Sequence, residues 1–389
     1  MIRVLIVDPF QGYNGPAQFC YDMFQNPVPD GFSVLILRNL PGLEDSTIER
    51  TNCVTRIISH TGMIPTMRDW RNWLKYPIFS LTAAVAILRA AKSFRPDIIW
   101  SNTELNPIVG VLARLLRVPS VARVHAQTMG RHGRFGRMYV CGLGRLFDIL
   151  ACNSISTMQY IANLGVPQSK LKVLYNAVDT CRFSRCAPSV EGRKILGSTL
   201  NDFLAVCVAH HAPIKGVHVL LDAFEQLARQ HRDVHLTIVG ALITPLDKQY
   251  SDSLYARVGD SEILRQRVTF CAPSNRIHQV LQQADVVVQP SLSEAAGRVV
   301  IEASSCGISV IASDTGGVKE AVVDGKTGWL VPPGDAVSLA SALTEAYAVP
   351  ALRKQLGAAG IEYSSKYTKD IVAKEFYAIC SSACQSTLC

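Results

Sequence analysis

Two glutamates, Glu294 and Glu302, stand eight positions apart where the sequence predicts that a strand gives way to a helix. The apolar run of residues 286–290 is typical of a buried parallel strand, and residues 298–307 predict the following helix. Glu294 then falls in the loop at the carboxyl end of a strand, where open α/β sheets bind their ligands. Glu302 lies about one turn into the helix, close enough to share that ligand. Both carboxylates can accept hydrogen bonds from hydroxyl groups.

Groups that attract phosphate are predicted beside these acids. Gly297 permits a tight backbone turn, and the N–H groups of Gly297, Arg298 and Val299 would form a helix N-terminus, which favours anions. Lys215 adds a point cation on a loop, just before a glycine and an amphipathic helix. Acceptors for hydroxyl groups beside donors for phosphate predict a site for a nucleotide sugar.

An ordered set of motifs around the two glutamates resembles the retaining GT-B glycosyltransferases of the family-4 type, the glycosyl transferases of group 1. That family places Pro-Ser ahead of Glu-x7-Glu, and Cys-Gly, Gly-Gly and Gly-x-x-Val-Pro-Pro-Gly-Asp after it. Here the corresponding residues are Pro290-Ser291, Cys306-Gly307, Gly316-Gly317 and 328–335. Earlier markers follow the family order as well: a glycine loop at Gly15, a strand-end His125, and Lys215-Gly216 before a helix. The resemblance extends over nearly the whole chain.

The resemblance implies a hexosyltransferase that moves a sugar from a nucleoside diphosphate to a hydroxyl with retained anomeric configuration. Lys215 would stabilise the negative charge that grows on the leaving diphosphate. Glu302 would bind the ribose hydroxyls, and Glu294 would bind the donor sugar and stabilise positive charge at its anomeric carbon. His125 would hold the donor sugar or lie near the reacting centre. The expected donor-binding residues are Gly15, His210, Lys215, Glu294, Gly297, Arg298, Val299 and Glu302.

Three positions depart from the family pattern. His210 stands five residues before Lys215, where the family usually has an arginine, and histidine is mostly neutral near pH 7. Pro16 follows Gly15 and offers no N–H to a phosphate. Ala295 follows Glu294 in a segment that usually reads Glu-Gly-Phe-Gly.

Strand-like apolar runs alternate with helix-length segments, which predicts an α/β protein with parallel sheets. The resemblance implies two Rossmann-like domains facing one another across a cleft. We expect an N-terminal, acceptor-side domain over 1–185, a nucleotide-sugar-binding domain over 200–366, and a final helix over 367–389 that crosses back to the first domain. Thirteen strands are predicted, at 3–7, 33–37, 54–58, 97–100, 120–125, 149–153, 172–175, 203–209, 235–239, 268–271, 286–289, 310–312 and 329–331.

Positive charge gathers in the first half of the chain. Residues 56–145 contain fourteen lysines and arginines against only Asp69, Asp97 and Glu104. Residues 68–77 mix tryptophan and tyrosine with basic side chains, which suits a membrane headgroup layer. We therefore expect a cytoplasmic protein that docks peripherally on the inner face of a membrane. No nucleic-acid recognition motif accompanies the charge.

No cofactor is expected besides the donor substrate, and no metal, because no Asp-x-Asp motif lies in a suitable loop and Lys215 serves the phosphates. The twelve cysteines lack metal-ligand spacing and are typical of buried thiols.

Two other functions stay open at the level of the sequence. A GT-B relative such as a nucleotide-sugar epimerase, or a synthase that uses a free sugar, would share these motifs. A degenerate scaffold that binds nucleotide sugar without turnover would account for His210, Pro16 and Ala295. The leading hypothesis is a glycosyltransferase of polysaccharide or glycolipid biosynthesis that acts on a saccharide or a lipid-linked acceptor.

Overall fold

A computed structural model describes residues 1–8, 19–20, 23–24, 27–38, 53–57, 70–125, 127, 133–241 and 247–385, and for residues 53, 55–57 and 70–79 it describes the backbone alone. The chain divides into two compact units. The first unit comprises Met1–Ala177 together with Lys369–Cys389, and the second comprises Val178–Thr368.

The first unit is built on a seven-stranded parallel sheet in the order β3-β2-β1-β4-β5-β6-β7. Its central strands are buried on both faces, as the long runs of valine, isoleucine and leucine predict. The strands are β1 Ile2–Asp8, β2 Phe32–Arg38, β3 Cys53–Ile57, β4 Ile98–Ser101, β5 Ser120–Val124, β6 Ile149–Cys152 and β7 Leu171–Val173.

Different helices cover the two faces of this sheet. One face packs against four helices, which are α1 Trp70–Phe94, α2 Pro107–Leu116, α3 Gly133–Leu146 and α4 Ile155–Asn163. The opposite face packs against the C-terminal helix Lys369–Gln385. Phe376 of that helix lies against Trp100 of β4, with ring centroids 4.6 Å apart. The end of the chain therefore completes the core of the first unit.

The second unit repeats the arrangement with six parallel strands in the order β10-β9-β8-β11-β12-β13. The strands are β8 Phe203–Val208, β9 Val234–Val239, β10 Val268–Cys271, β11 Val286–Gln289, β12 Ser309–Ser313 and β13 Gly328–Val331. The helices are α5 Val190–Ile195, α6 Val217–Gln230, α7 Lys248–Asp260, α8 Glu262–Arg267, α9 Ile277–Leu281, α10 Arg298–Ser305, α11 Ala336–Ala348 and α12 Pro350–Ser364. Both units thus show the strand order of a doubly wound α/β fold.

All thirteen predicted strands are present, and the predicted fold class is confirmed. The helix predicted over 298–307 ends earlier, at Ser305. The segment 186–199, which lies between the two predicted domains, packs on the second unit. Its Arg193 pairs with Asp285 at 2.8 Å, and its Ser189 N–H donates to Gln283. Long-range polar contacts of this kind leave no periodic signal in the sequence.

No helix in the described part of the chain has both the length and the apolar character needed to cross a membrane.

Candidate functional site

The site residues of the second unit lie at the point where the strand order of its sheet reverses. Strands β8 and β11 are neighbours, and the chain leaves them toward opposite edges of the sheet. In open α/β sheets, the loops at the carboxyl ends of two such strands form the ligand crevice. Lys215 lies in the loop after β8 and Glu294 in the loop after β11. Strand order therefore brings together two residues that are far apart in the sequence.

Backbone contacts fix these two loops to one another. The N–H of Leu292 donates to the carbonyl of Ile214 at 2.8 Å. Gly216 follows Lys215 in the left-handed conformation, with φ +65°, and a Cβ atom there would lie 2.0 Å from the carbonyl oxygen of Pro290. Only glycine permits this approach. The Lys215 loop is thus held against the end of β11.

Lys215 and Glu294 form an ion pair, with 2.6 Å between Nζ and Oε2. Both side chains are largely buried, at 18% and 16% exposed, so the pair is less screened than one on the open surface. Gln289 Nε2 and Ser291 Oγ donate to the same Oε2, at 3.4 and 3.3 Å. These contacts hold the Glu294 carboxylate at the end of β11.

Helix α10 carries the second glutamate. Gly297 caps its start in the left-handed conformation, with φ +65°. Glu302 is buried, and its Oε1 accepts a hydrogen bond from Arg298 Nε at 2.7 Å, one helical turn earlier. The Glu294 carbonyl accepts from the N–H of Gly317, which ties the Glu294 loop to the loop after β12. Glu294 and Glu302 are thus both paired with a cation.

His210 lies close to the ion pair of Lys215 and Glu294. Burial lowers the pKa of His210 and the charge of Lys215 lowers it further, while Glu294 opposes the shift. The imidazole is therefore neutral near pH 7, as the sequence predicts for this position. A neutral histidine contributes a hydrogen bond to a phosphate rather than a charge.

His125 follows β5 in the first unit, and hydrogen bonds fix its position. Its Nε2 contacts the carbonyl of Asn102 at 2.9 Å, and because a carbonyl only accepts, Nε2 carries the proton and Nδ1 is the acceptor. The backbone N–H of His125 donates to Glu104 at 3.1 Å. Burial, with help from Arg123, lowers the pKa of His125 to about 3. His125 is thus a neutral acceptor at physiological pH.

In the second unit, the structure places His210 close to the pair of Lys215 and Glu294. Gly297 begins α10, in which Arg298 pairs with Glu302. Val299 occupies the first turn of α10. Gly15 lies outside the described residues.

Four residues with contacts at these positions were not predicted as site residues: Gln289 and Ser291, which contact Glu294, and Asn102 and Glu104, which contact His125. All four lie at or just past the end of a strand, so the rule that located Glu294 could have found them.

Among the residues that the structure describes, no group of three or more histidine, cysteine, aspartate or glutamate side chains could hold a metal ion. Metal independence stays a prediction.

Two family models match the chain, one on each half. The model described as glycosyl transferases group 1 matches residues 190–363, and that of Glycosyltransferase Family 4 matches residues 13–182. Together they span most of the described sequence in both units.

Curated and solved proteins agree with these matches. A glycogen synthase of Mycobacterium tuberculosis is 27% identical over 343 residues, covering 82% of this chain and 79% of its own. A D-inositol 3-phosphate glycosyltransferase of Pseudarthrobacter chlorophenolicus is 30% identical, covering 68% and 66%. The fold is similar to that of Anabaena HepE in complex with UDP-glucose, with a TM-score of 0.82 at 22% identity, covering 98% of this chain and 100% of the other.

Proposed function

The chain belongs to the GT-B glycosyltransferases of group 1, and we propose that it moves a hexose from a nucleoside-diphosphate sugar to an acceptor hydroxyl with retention of anomeric configuration. One observation carries this proposal: the 2.6 Å ion pair of Lys215 and Glu294 at the switch point of the second sheet. The UDP-glucose in the similar HepE structure supports a nucleotide sugar as the donor.

The Lys215 ion pair explains how a donor could be bound and then activated. A diphosphate carries more negative charge than one carboxylate, so it competes with Glu294 for the Lys215 ammonium. Once Lys215 contacts the phosphates, Glu294 can accept hydrogen bonds from the donor sugar instead. Charge on the phosphates increases as the sugar departs, and a preorganised cation stabilises that transition state more than the bound ground state.

The remaining residues would orient the nucleotide. Glu302, whose Oε1 accepts a hydrogen bond from Arg298, would bind the ribose hydroxyls. The first turn of α10, at Arg298 and Val299, would direct backbone N–H groups at the diphosphate. His210 would donate one neutral hydrogen bond there. For His125, in the first unit, contact with the donor sugar stays a prediction from the resemblance to the family.

The reaction then needs few bond changes. The bond between the anomeric carbon and the diphosphate oxygen breaks, and the acceptor oxygen bonds to the same face of that carbon. The acceptor proton passes to the departing phosphate oxygen, which Lys215 stabilises. Glu294 stabilises the positive charge at the anomeric carbon. No step requires a metal ion, so we expect full activity in excess EDTA, and loss that Mg²⁺ or Mn²⁺ restores would contradict this.

Product analysis tests the proposal. UDP-, GDP- and ADP-sugars are first compared by thermal stabilisation, since ligand at about 100 times its dissociation constant adds about 2.7 kcal/mol. The best donor is then incubated with saccharide and lipid-linked acceptors, and the anomeric configuration of the product is read by proton NMR. A product with the donor's configuration supports the proposal. An inverted product, an epimerised nucleotide sugar, or binding without any turnover would each overturn it.

A further inference from the structure

Helices α1, α2 and α3 of the first unit form one continuous layer on the sheet. All three contribute buried side chains to the same core, among them Ile87, Leu112 and Val140. Arg114 Nε in α2 donates to the carbonyl of Leu146 at the end of α3, at 2.9 Å. The side of each helix that points away from the sheet therefore belongs to a shared outer surface.

This outer surface exposes large apolar side chains. Leu81, Val85 and Leu88 follow one stripe of α1 and are 66%, 39% and 40% exposed. On α2 and α3 the exposed fractions are 73% for Leu115, 72% for Phe135 and 66% for Met138. Single exposed apolar residues are ordinary, but a set that recurs on three packed helices marks an interaction surface. We name this set, with the basic residues below, the apolar-basic face.

The charge on the apolar-basic face has one sign. Helices α1 to α4 contain no aspartate or glutamate. The exposed charged residues on or directly after α1, α2 and α3 include Arg89, Lys92, Arg117, Arg134, Arg137 and Arg145. None of these six forms an ion pair with a carboxylate of the described residues. Such a face attracts an anionic partner over its whole extent.

We propose that the apolar-basic face docks on an anionic lipid bilayer. A bilayer offers both things that this face needs: a negative surface for the arginines and lysines, and an apolar layer for Phe135, Met138 and Leu115. A nucleic acid would match the charge but would leave those apolar side chains in water. The sequence had placed the contact at residues 68–77, whose side chains lie outside the described residues. On the proposed function, docking would bring the first unit to a lipid-linked acceptor.

Flotation of the full chain with vesicles tests the proposal. We expect binding to phosphatidylcholine vesicles that contain an equal share of phosphatidylglycerol, little binding to phosphatidylcholine alone, and loss at about 0.5 M salt, where charges are screened beyond about 4 Å. Each basic residue near an anionic surface strengthens partitioning about fivefold. The pair R134E and R137E should therefore weaken binding at least about 25-fold.

A matched control separates a local contact from the effect of net charge. Lys326 and Lys354 lie exposed on the second unit. The pair K326E and K354E lowers the net charge by the same amount as R134E and R137E. This control should bind vesicles like the wild type. Equal weakening by both pairs would overturn the proposal.

A second variant separates a bilayer from other polyanions. F135S and M138S keep every charge, so they should release the chain from anionic vesicles and leave any binding of heparin unchanged. Vesicle binding that survives this variant, or heparin binding that falls with it, would contradict a bilayer as the partner. Unchanged thermal unfolding shows that each variant folds. Because binding is measured without donor, it stands or falls separately from the proposed sugar transfer.

Discussion

The helices that cover one face of the first sheet carry charge differently from the helices of the second unit. In the second unit, basic and acidic side chains pair with one another: Arg257 of α7 with Glu225 of α6, and Arg298 with Glu302 within α10. In the first unit, helices α1 to α3 carry basic residues, and helices α1 to α4 contain no acidic ones. The two units share a strand order, so the fold does not dictate this difference.

This difference in charge indicates what each unit can bind. Paired charges at the end of a sheet can be opened by one small anion that competes for a cation, which suits a diphosphate. Unpaired charges of one sign on a helical layer suit an extended anionic surface. We therefore assign donor recognition to the second unit and surface recognition to the first.

The largest expected effect is at Lys215. Lys215→Met keeps the length of the side chain and removes its charge, so turnover should fall about 100-fold or more because the leaving diphosphate loses its fixed cation. Initial rates with the best donor measure this. The control is Lys326→Met, an exposed lysine of the same unit. Vesicle binding should not change in either variant. A Lys215→Met enzyme with wild-type turnover would contradict the assignment of donor recognition to the second unit.

Glu302→Gln should weaken nucleotide binding by about 10- to 100-fold, the range for losing a charged hydrogen-bond partner. It also leaves Arg298 without its carboxylate. Titration calorimetry with the free nucleoside diphosphate measures the affinity, and Glu362→Gln on the exposed side of α12 is the control. An unchanged dissociation constant would remove Glu302 from the site.

Buried histidines allow the acid sensitivity of the two units to be compared. Burial lowers the pKa of His125 to about 3 in the first unit and that of His235 to about 4 in the second. Below pH 6.5 the unfolded chain binds protons at these positions and the folded chain does not, so stability falls with pH. Between pH 7 and pH 5 each histidine should account for about 2 kcal/mol of lost unfolding free energy.

Denaturant unfolding at the two pH values, for His125→Gln and His235→Gln separately, measures this loss. Each variant should lose less stability on acidification than the wild type does. A pH dependence identical to that of the wild type would show that the replaced histidine already binds its proton in the folded state.

The smallest expected effect is a gain. His210→Arg adds a second cation near Lys215, and donor affinity should rise up to about fivefold, the upper end for a partly exposed ion pair. The control is His231→Arg, at the C-terminal end of α6. Calorimetry that shows weaker binding in His210→Arg would mean that the site is built around a neutral group.

Much of this account could be predicted from the sequence. Strands such as β1 and β11 are continuous apolar runs because they are buried on both faces. Glu294 and Glu302 could be predicted as site residues because they follow β11. The direct pairing of Lys215 with Glu294 could not be predicted, because β8 and β11 become neighbours only through the crossover of the sheet. The contact of Ile214 with Leu292 has the same origin.

The apolar-basic face shows a second limit to what the sequence can predict. Its excess of positive charge is visible in the sequence. Its exposed side chains are not, because α1 is apolar on both sides: Leu81, Val85 and Leu88 are exposed while Ala83 and Ile87 are buried. Periodicity cannot tell which stripe of such a helix meets the sheet.

A crystal structure of the chain with its donor tests the central claim most directly. We expect the diphosphate within hydrogen-bond distance of Lys215 Nζ, the ribose hydroxyls on Glu302, and Glu294 released from Lys215 to contact the sugar. A donor bound elsewhere, with the ion pair of Lys215 and Glu294 still closed, would contradict the account.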